Sequence, residues 1–367
     1  MRGAGRGEWS FHSQGPQRGK RRFVANPFGP AVHCAHGVVA RRLFGMTKRR
    51  GSCLALRAMH GRRTFVSQRD RLLTAWAEIA QQIGQATGQP FRIRRHDGAG
   101  GGCINEAYVL HGADGRRYFI KLNDARKAGM FAAEAEGLQE ILNSHALRAP
   151  QPICRGAAAG QAYLVLEHLE LDSHGSGARL GQQLAAMHRI SQPQFGWRMD
   201  NTIGDTPQSN TPCGDWVVFW RDRRLHHQLR LAAGNGAPRR LLDQGERLLG
   251  ELAAFFTDYR PEPSLLHGDL WGGNAGFAGG EPVVFDPAVY YGDREADLAM
   301  TELFGGFDGD FYAAYREAWP LDPGYAVRKT LYNLYHVLNH FNMFGGAYAA
   351  QAEAMTERLL AETGQYR

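Results

Sequence analysis

The sequence has few cysteines and no long apolar run. Its five cysteines are scattered and odd in number, and none belongs to a CxxC pair. This pattern argues against a disulfide framework and against a cysteine-bound zinc site, so we expect a reducing, cytosolic setting. Because no stretch of 18 consecutive apolar residues occurs, we predict no transmembrane helix and no membrane partner.

Acidic residues are nearly missing from the first fifth of the chain. Residues 1–68 contain 14 lysines and arginines but one acid, Glu8. This leader therefore carries a net charge of +13, and residues 69–367 carry −6, within the overall +7. Since the basic character belongs to the leader alone, we predict no nucleic-acid partner for the body of the protein.

The leader shows neither helical nor strand periodicity. We interpret residues 1–68 as a basic, disordered extension, or as the result of a start assigned too far upstream, with Met46 and Met59 as internal starts. Two alternatives stay open. An Arg-rich, acid-poor leader is also typical of an organellar transit peptide, and a basic arm can bind nucleic acid.

The patterns along residues 69–367 predict an α+β fold with two lobes. Apolar residues at helical spacing predict a helix from about Asp70 to Ile83. Strands are predicted at 91–93, 104–110, 118–122 and 162–166, and a helix at 130–143. Beyond 175 the chain is mostly helical, apart from 264–290. We therefore predict a small β-rich N-lobe over 69–168 and a larger, mainly helical C-lobe over 169–367.

The strongest chemical signal is the segment 265–274, where Asp269 precedes Asn274 by five residues on a predicted loop. In phosphotransferase catalytic loops with this spacing, the Asp accepts the proton of the attacking hydroxyl and the Asn binds Mg²⁺. Asp286 follows a short apolar strand, where a carboxylate can hold Mg²⁺ against nucleotide phosphates. We predict Asp269 as the catalytic base and Asn274 and Asp286 as metal ligands.

A glycine-rich stretch at 98–102 predicts a nucleotide cradle, although its spacing alone is a weak signal. We place it between two strands of a hairpin whose second strand carries Lys121. Backbone N–H groups of Gly100, Gly101 and Gly102 can approach phosphates closely there. Lys121 is the one charge within 118–122, which suits a cation held against the phosphates.

Such a lysine needs a carboxylate partner. In the helix predicted at 130–143, Glu134 lies at the edge of the apolar stripe, whereas Glu136 faces solvent. We therefore assign Glu134 to Lys121. After the strand at 162–166, the residues predicted to connect the lobes and to offer backbone groups to adenine are Glu167, His168 and Leu169.

Together these segments resemble the fructosamine/ketosamine kinase family of the protein-kinase-like, aminoglycoside-phosphotransferase-type superfamily. The resemblance covers roughly residues 70–365. The segments that carry it are 101–105, 118–121, 131–138, 201–210, 215–216, 267–274 and 285–300. It implies that the sugar O3 of ketosamines is phosphorylated with ATP and Mg²⁺. It also implies that the unstable 3-phosphate eliminates and frees the amine, so that small ketosamines or glycated protein lysines are deglycated.

Residues for substrate contact are less sharply defined. Carboxylates suit both hydroxyls and a cationic nitrogen, so the predicted contacts are Trp271, Asp293, Glu295, Asp215 and Trp216. Trp216 is alternatively a core residue. Asp297 is interpreted as an anchor of its own helix or of the catalytic loop, and Arg224, His226 and His227 as a surface helix face.

Cys103 follows the glycine-rich stretch directly. It is either a small residue at the start of a strand or a redox-sensitive thiol whose thiolate is stabilised by backbone N–H groups and Lys121. The family resemblance favours the second interpretation. It would allow a homodimer joined through Cys103.

Two other functions remain open at this point. The first is a kinase of the same fold that acts on an aminoglycoside or a choline-like amine. The second is a non-catalytic pseudokinase that binds a partner, although every expected catalytic position is filled.

Overall fold

The computed structural model describes residues 68–100 and 104–364. The predictions for the leader, apart from its last residue Gln68, therefore lie outside the described residues. The same holds for those on Gly101, Gly102 and Cys103. None of the helices in the described ranges is both long enough and apolar enough to cross a membrane.

A five-stranded antiparallel sheet forms the N-lobe. In spatial order its strands are β1 (Ile93–Gly98), β2 (Glu106–Gly112), β3 (Arg117–Asp124), β5 (Gln161–Glu167) and β4 (Pro152–Ala158). Strand β4 was not predicted, because it is rich in Ala and Gly rather than in β-branched or aromatic residues. The chain connects β3 to β4 through helix α2 (Ala128–Asn143), which begins two residues before the predicted start.

Successive side chains of a strand point to opposite faces of the sheet, and a different helix packs on each face. On one face, Ile120 of β3 and Val165 of β5 form a small core with Ile79 and Ile83 of α1 (Gln68–Thr87). The opposite face of β5, with Leu164, belongs to the main core that α2 and the C-lobe share. Lys121 neighbours Ile120 on β3, so its side chain leaves the sheet on the α2 face.

The C-lobe is mainly helical, with three short two-stranded sheets. Its helices in the described ranges are α3 (Gly177–His188), α4 (Trp216–Phe219), a π-helical turn (Trp220–Leu225), α5 (His226–Gly234), α6 (Arg239–Glu251), α7 (Arg294–Leu303), α8 (Gly309–Ala318), α9 (Tyr325–Phe344) and α10 (Tyr348–Thr363). The paired strands are β6 (Asn201–Ile203) with β7 (Thr206–Gln208), β8 (Ser264–Leu266) with β11 (Tyr290–Gly292), and β9 (Ala275–Ala278) with β10 (Glu281–Val284). Short 3₁₀ turns occupy Ala125–Lys127, Leu252–Phe256 and Gly272–Asn274.

Helix α9 lies at the centre of the C-lobe core. Leu331, Tyr332 and Leu338 are buried there, in the same cluster as Trp216 and Trp220 from the α4 region. The prediction that Arg224 lies on a surface helix face is wrong, because Arg224 is fully buried. It belongs to the π-helical turn. Because this turn has more residues per turn than an α-helix, its side chains point to other sides than α-helical spacing predicts. His226 and His227 are half-buried.

Candidate active site

The ammonium group of Lys121 lies between two carboxylates. Its Nζ is 2.5 Å from Oε1 of Glu134 on α2 and 2.5 Å from Oδ1 of Asp286, which follows β10. The structure thus brings Lys121 to Glu134 rather than to Glu136. Glu136 lies two residues further along the helix, where its carboxylate accepts from Arg198 at 2.8 Å and lies 3.4 Å from Arg155.

Lys121 is 5% exposed, so its charge depends on these partners. Burial by itself would lower the pKa of the lysine, but the negative charges of Asp286 and Glu134 outweigh burial and raise that pKa. Burial also raises the pKa of Glu134, against the opposing effect of Lys121. The lysine is therefore a permanent cation at neutral pH.

Asp269 and Asn274 face each other across the catalytic loop. The side-chain Nδ2 of Asn274 donates to the backbone oxygen of Asp269 at 2.9 Å and to its carboxylate Oδ2 at 3.2 Å. The backbone N–H of Asn274 donates to the Trp271 carbonyl at 2.9 Å, which closes the turn. Burial and the charge of Asp286 raise the pKa of Asp269, while the Asn274 hydrogen bond lowers it less. This places a proton acceptor of increased basicity near Asp286.

Asp297 on α7 holds the backbone of this loop. Its Oδ2 accepts from the N–H of His267 at 2.7 Å and its Oδ1 from the N–H of Gly268 at 2.8 Å. Burial would raise the pKa of Asp297, but hydrogen bonds from His188 at 3.1 Å and from the Gly268 N–H lower it. Of the two roles considered for Asp297, the structure therefore shows the anchoring of the catalytic loop.

His267 joins the loop to the Asp286 segment. Its Nε2 lies 3.1 Å from the Phe285 carbonyl and its Nδ1 accepts from the Asp269 N–H at 3.2 Å, so the proton is assigned to Nε2. Burial lowers the pKa of His267, which favours this neutral form. The imidazole therefore sets the spacing between Asp269 and the chain that leads to Asp286.

The donor set suits a hard divalent cation. Asp286 sits in the left-handed region, with φ of 59°, and its side chain is 49% exposed. Asn274 uses its amide nitrogen for the hydrogen bonds within the loop, and in the described part of the chain no protein group hydrogen-bonds to its Oδ1. Two carboxylates, Glu134 and Asp286, flank the lysine, and the charge of Asp286 also acts on Asp269. Oxygen donors with excess negative charge are what Mg²⁺ prefers.

The glycine-rich stretch connects β1 and β2, so its predicted place in a hairpin with the Lys121 strand is corrected. Lys121 lies one strand further, on β3, because the turn at 112–115 adds another hairpin. Gly100 is exposed beside the end of β1. On the return side, Nδ2 of Asn123 donates to the Ile104 carbonyl at 3.1 Å and to Asn105 at 2.7 Å, which ties the returning chain to β3.

The segment after β5 connects the lobes as predicted. The carboxylate of Glu167 lies 3.0 Å from Arg148 and accepts from the Gln151 N–H at 3.2 Å, so this side chain is committed to structure. Among the described residues, the backbone groups of His168 and Leu169 make no hydrogen bond to another segment. Both remain able to pair with the edge of an adenine.

Two of the predicted substrate residues are accessible. Trp271 is 40% exposed, and its ring meets Phe304 edge to face with ring centroids 6.5 Å apart. Asp215 is exposed, and its Oδ1 accepts from the N–H of Val218 at 2.8 Å, which caps α4. Its second carboxylate oxygen is not used by this cap.

The other three predicted substrate residues lie in the interior, which corrects their assignment to direct contact. Trp216 is 3% exposed and its Nε1 donates to Tyr332. Asp293 is fully buried, accepts from the hydroxyls of Tyr332 and Tyr259, and caps α7. Glu295 is fully buried and binds Arg328 through both oxygens, at 2.7 and 3.1 Å. Each polar group is satisfied by a protein partner, so none is available to a ligand.

With this geometry established, comparison with known proteins decides the family. Residues 75–362 match the family model described as fructosamine kinase. The chain belongs to the fructosamine kinase family.

Named relatives agree with this assignment. A protein of Synechocystis named as a ketoamine kinase is 51% identical over 294 residues, which is 78% of this chain and 97% of the relative. A rice protein named protein-ribulosamine 3-kinase, chloroplastic, is 38% identical over 278 residues, covering 74% and 81%. A solved structure from Haemophilus somnus, named as a fructosamine-3-kinase, has a TM-score of 0.73 at 27% identity and covers 79% and 99%.

These comparisons confirm the predicted family, the two-lobed α+β fold and the class of ATP-dependent kinase. His188 was not predicted as part of the site, although its imidazole hydrogen-bonds to Asp297. No local signal could have indicated it, because His188 lies on α3, 109 residues before Asp297.

The lysine site yields a first prediction. Glu134→Gln removes one of the two charges that hold Lys121, so the lysine is drawn toward Asp286 and away from the nucleotide. We expect kcat/KM for ATP to fall by about tenfold or more, measured by ADP release. Glu136→Gln is the matched control on the same helix, and its surface ion pairs predict a change within about twofold. Equal losses in the two variants would contradict the assignment.

Proposed function

We propose that this protein is an ATP-dependent ketosamine kinase that phosphorylates the O3 hydroxyl of free or protein-bound ketosamines. The observation that carries the proposal is the complete set of Lys121, Glu134 and Asp286 beside the Asp269–Asn274 pair, in a member of the fructosamine kinase family. Every expected catalytic position carries a residue that can perform its role, which disfavours a pseudokinase.

The chemistry assigned to Asp269 is proton acceptance. As the sugar O3 attacks the γ-phosphorus of ATP, its proton passes to the Asp269 carboxylate, the bond from phosphorus to the β–γ bridging oxygen breaks, and ADP leaves. The raised pKa of Asp269 suits this step, because a general base works best when its pKa approaches the operating pH. Asn274 holds the carboxylate in place through its Nδ2.

The remaining residues bind and orient the nucleotide. In this proposal Lys121 binds the α- and β-phosphates, backbone N–H groups of Gly100, Gly101 and Gly102 bind the phosphate chain, and His168 with Leu169 binds adenine. Asn274 and Asp286 would hold Mg²⁺, which supplies charge neutralisation on the phosphates when bound. In-line placement and charge stabilisation contribute most to the rate of such transfers.

Trp271 and Asp215 are the proposed substrate contacts. The exposed indole offers a face to the sugar or to the cationic nitrogen, and the carboxylate suits both hydroxyls and that nitrogen. Relatives named for ketoamine and ribulosamine substrates support a ketosamine over an aminoglycoside or choline. The 3-phosphate product would eliminate and release the amine, so the reaction serves deglycation.

The assigned base is tested by Asp269→Asn. This substitution removes the proton acceptor but keeps the size of the side chain, so kcat should fall by about 10²- to 10⁴-fold. ATP binding should change little, because Lys121 and the segment after β5 hold the nucleotide. Turnover is measured by coupled ADP release and ATP binding by calorimetry. Unchanged turnover in the variant would refute Asp269 as the base.

The substrate class is tested on the wild-type enzyme. We expect ADP release that depends on fructoselysine or ribuloselysine, and none above background with kanamycin or choline. The ratio of kcat/KM for the two ketosamines then defines which sugar length is preferred. Activity with kanamycin or choline alone would overturn the ketosamine assignment.

We further propose Cys103 as a redox-sensitive thiol that joins two copies of the chain. Oxidation by peroxide would take two electrons and two protons from a pair of Cys103 thiols, form one disulfide and reduce the peroxide to water. This disulfide would distort the phosphate cradle, so peroxide should lower activity and dithiothreitol restore it, with a covalent dimer on non-reducing gels. Cys103→Ser should remove the response. An identical response of the variant and the wild type would refute the proposal.

For location we propose the cytosol, with organellar import as the alternative. The cysteine pattern favours a reducing setting, while the Arg-rich leader and the chloroplastic rice relative support import.

A further inference from the structure

Arg224 is a fully buried guanidinium without a carboxylate partner in the described part of the chain. Its Nη1 donates to the Ser209 carbonyl at 2.6 Å and its Nη2 to Oδ1 of Asn210 at 2.7 Å. The guanidinium carbon lies 4.1 Å from the centre of the Tyr290 ring and 4.7 Å from that of Phe219. Burying a charge without a counter-charge is costly, so a purely space-filling role would favour an apolar residue here.

Asn210 links Arg224 to a second buried amide, that of Asn201, because it hydrogen-bonds to both. Its Nδ2 donates to Oδ1 of Asn201 at 3.0 Å and to the Met199 carbonyl at 3.1 Å. Gln208 donates to the same Oδ1 of Asn201 at 2.8 Å. All three amide side chains are buried, and each uses its donors on protein acceptors. The orientation of each amide therefore depends on the next one in the chain of hydrogen bonds.

This chain of hydrogen bonds ends on the backbone beside Asp286. Nδ2 of Asn201 donates to the Val289 carbonyl at 2.8 Å, and Nε2 of Gln208 donates to the Ala288 carbonyl at 3.3 Å. On α9, the hydroxyl of Tyr335 donates to Oε1 of Gln208 at 2.7 Å, which fixes that amide from the other side. The two carbonyls belong to the second and third residues after the proposed metal ligand.

The same backbone also touches the catalytic loop. The N–H of Ala288 donates to the His267 carbonyl at 2.8 Å. Gly268 has a φ of +83°, and a Cβ at this residue would lie 2.1 Å from the Ala288 oxygen. A small shift of Ala288 would therefore move the residues directly before Asp269.

We propose that Arg224 is a positioning residue of the phosphotransfer site, which acts through Asn210, Asn201 and Gln208 to set Asp286 relative to Asp269. The inference rests on the proposed kinase function. The hydrogen bonds run from the buried guanidinium to the Ala288 and Val289 carbonyls. The Ala288 N–H then links the segment that carries Asp286 to the loop that carries Asp269, through the His267 carbonyl. A misplacement of about 1 Å in such a site can cost about 10²-fold in rate.

Two substitutions separate this role from simple packing. Arg224→Lys keeps the positive charge but cannot donate to Ser209 and Asn210 in the same fork geometry. Asn210→Asp keeps an acceptor for Arg224, now as an ion pair, but removes the Nδ2 donor to Asn201. If Arg224 only needs a partner for its charge, Asn210→Asp is harmless. If the amides position the catalytic segment, Asn210→Asp lowers the rate in a folded enzyme.

We expect kcat of both variants to fall by about 10- to 100-fold, with KM for the ketosamine changed by less than about threefold. Amide hydrogen exchange should become faster in residues 285–292, while α6 (Arg239–Glu251) serves as an internal reference and stays unchanged. Activity is measured well below the thermal midpoint of each variant. Arg221→Lys, a surface arginine of the same π-helical turn paired with Asp222, is the matched control and should resemble the wild type.

Three outcomes overturn the proposal: kcat of Asn210→Asp within about twofold of wild type, a loss of kcat without faster exchange in 285–292, or exchange that rises equally in α6. If Arg224→Lys does not fold, Asn210→Asp decides by the same criteria. Failure of the wild type to turn over any ketosamine refutes the proposed function instead, and the exchange comparison, which needs no substrate, still tests the positioning.

Discussion

The active site depends on one buried cation. Lys121 can remain charged in the interior only because Glu134 and Asp286 both reach its ammonium, and these residues come from β3, α2 and the chain after β10. Helix α2 is in turn fixed to that chain, since the Tyr291 hydroxyl donates to Glu140 at 2.9 Å. Gly137 favours the close approach of α2, because a Cβ there would lie 3.2 Å from the Val289 side chain, tighter than ordinary contact.

The segment from Phe285 to Asp293 contacts three parts of the site. It binds the catalytic loop through Phe285 and Ala288, the lysine through Asp286, and the α7 cap through Asp293. Strand pairing holds only the end of this segment, where β11 pairs with β8, because the left-handed backbone of Asp286 ends the preceding strand. Side chains from α2, β6, β7 and α9 also hold it, which explains why polar groups are buried around it.

The acidic residues in and around the site differ in how far protein partners cover them. Asp269 is partly exposed and the Asp286 side chain is 49% exposed, whereas Asp293 and Glu295 are covered by Tyr332, Tyr259 and Arg328. Asp269, Asp286 and Asp293 each follow a short strand, whereas Glu295 lies in the first turn of α7. Asp293 and Glu295 are closed by Tyr332 and Arg328 of α9, more than thirty residues further along the chain, and by Tyr259, which lies before both acids.

The sequence by itself determined the family, the two lobes and the Lys121–Glu134 pair. These follow from short motifs and from helical spacing, which sets the face of a residue's own element. Tertiary structure alone decided that Trp216, Asp293 and Glu295 are interior, that β4 forms an edge strand, and that Arg224 is buried. The physical reason is that burial is set by contacts between distant segments, and a residue's neighbours in sequence carry no information about them.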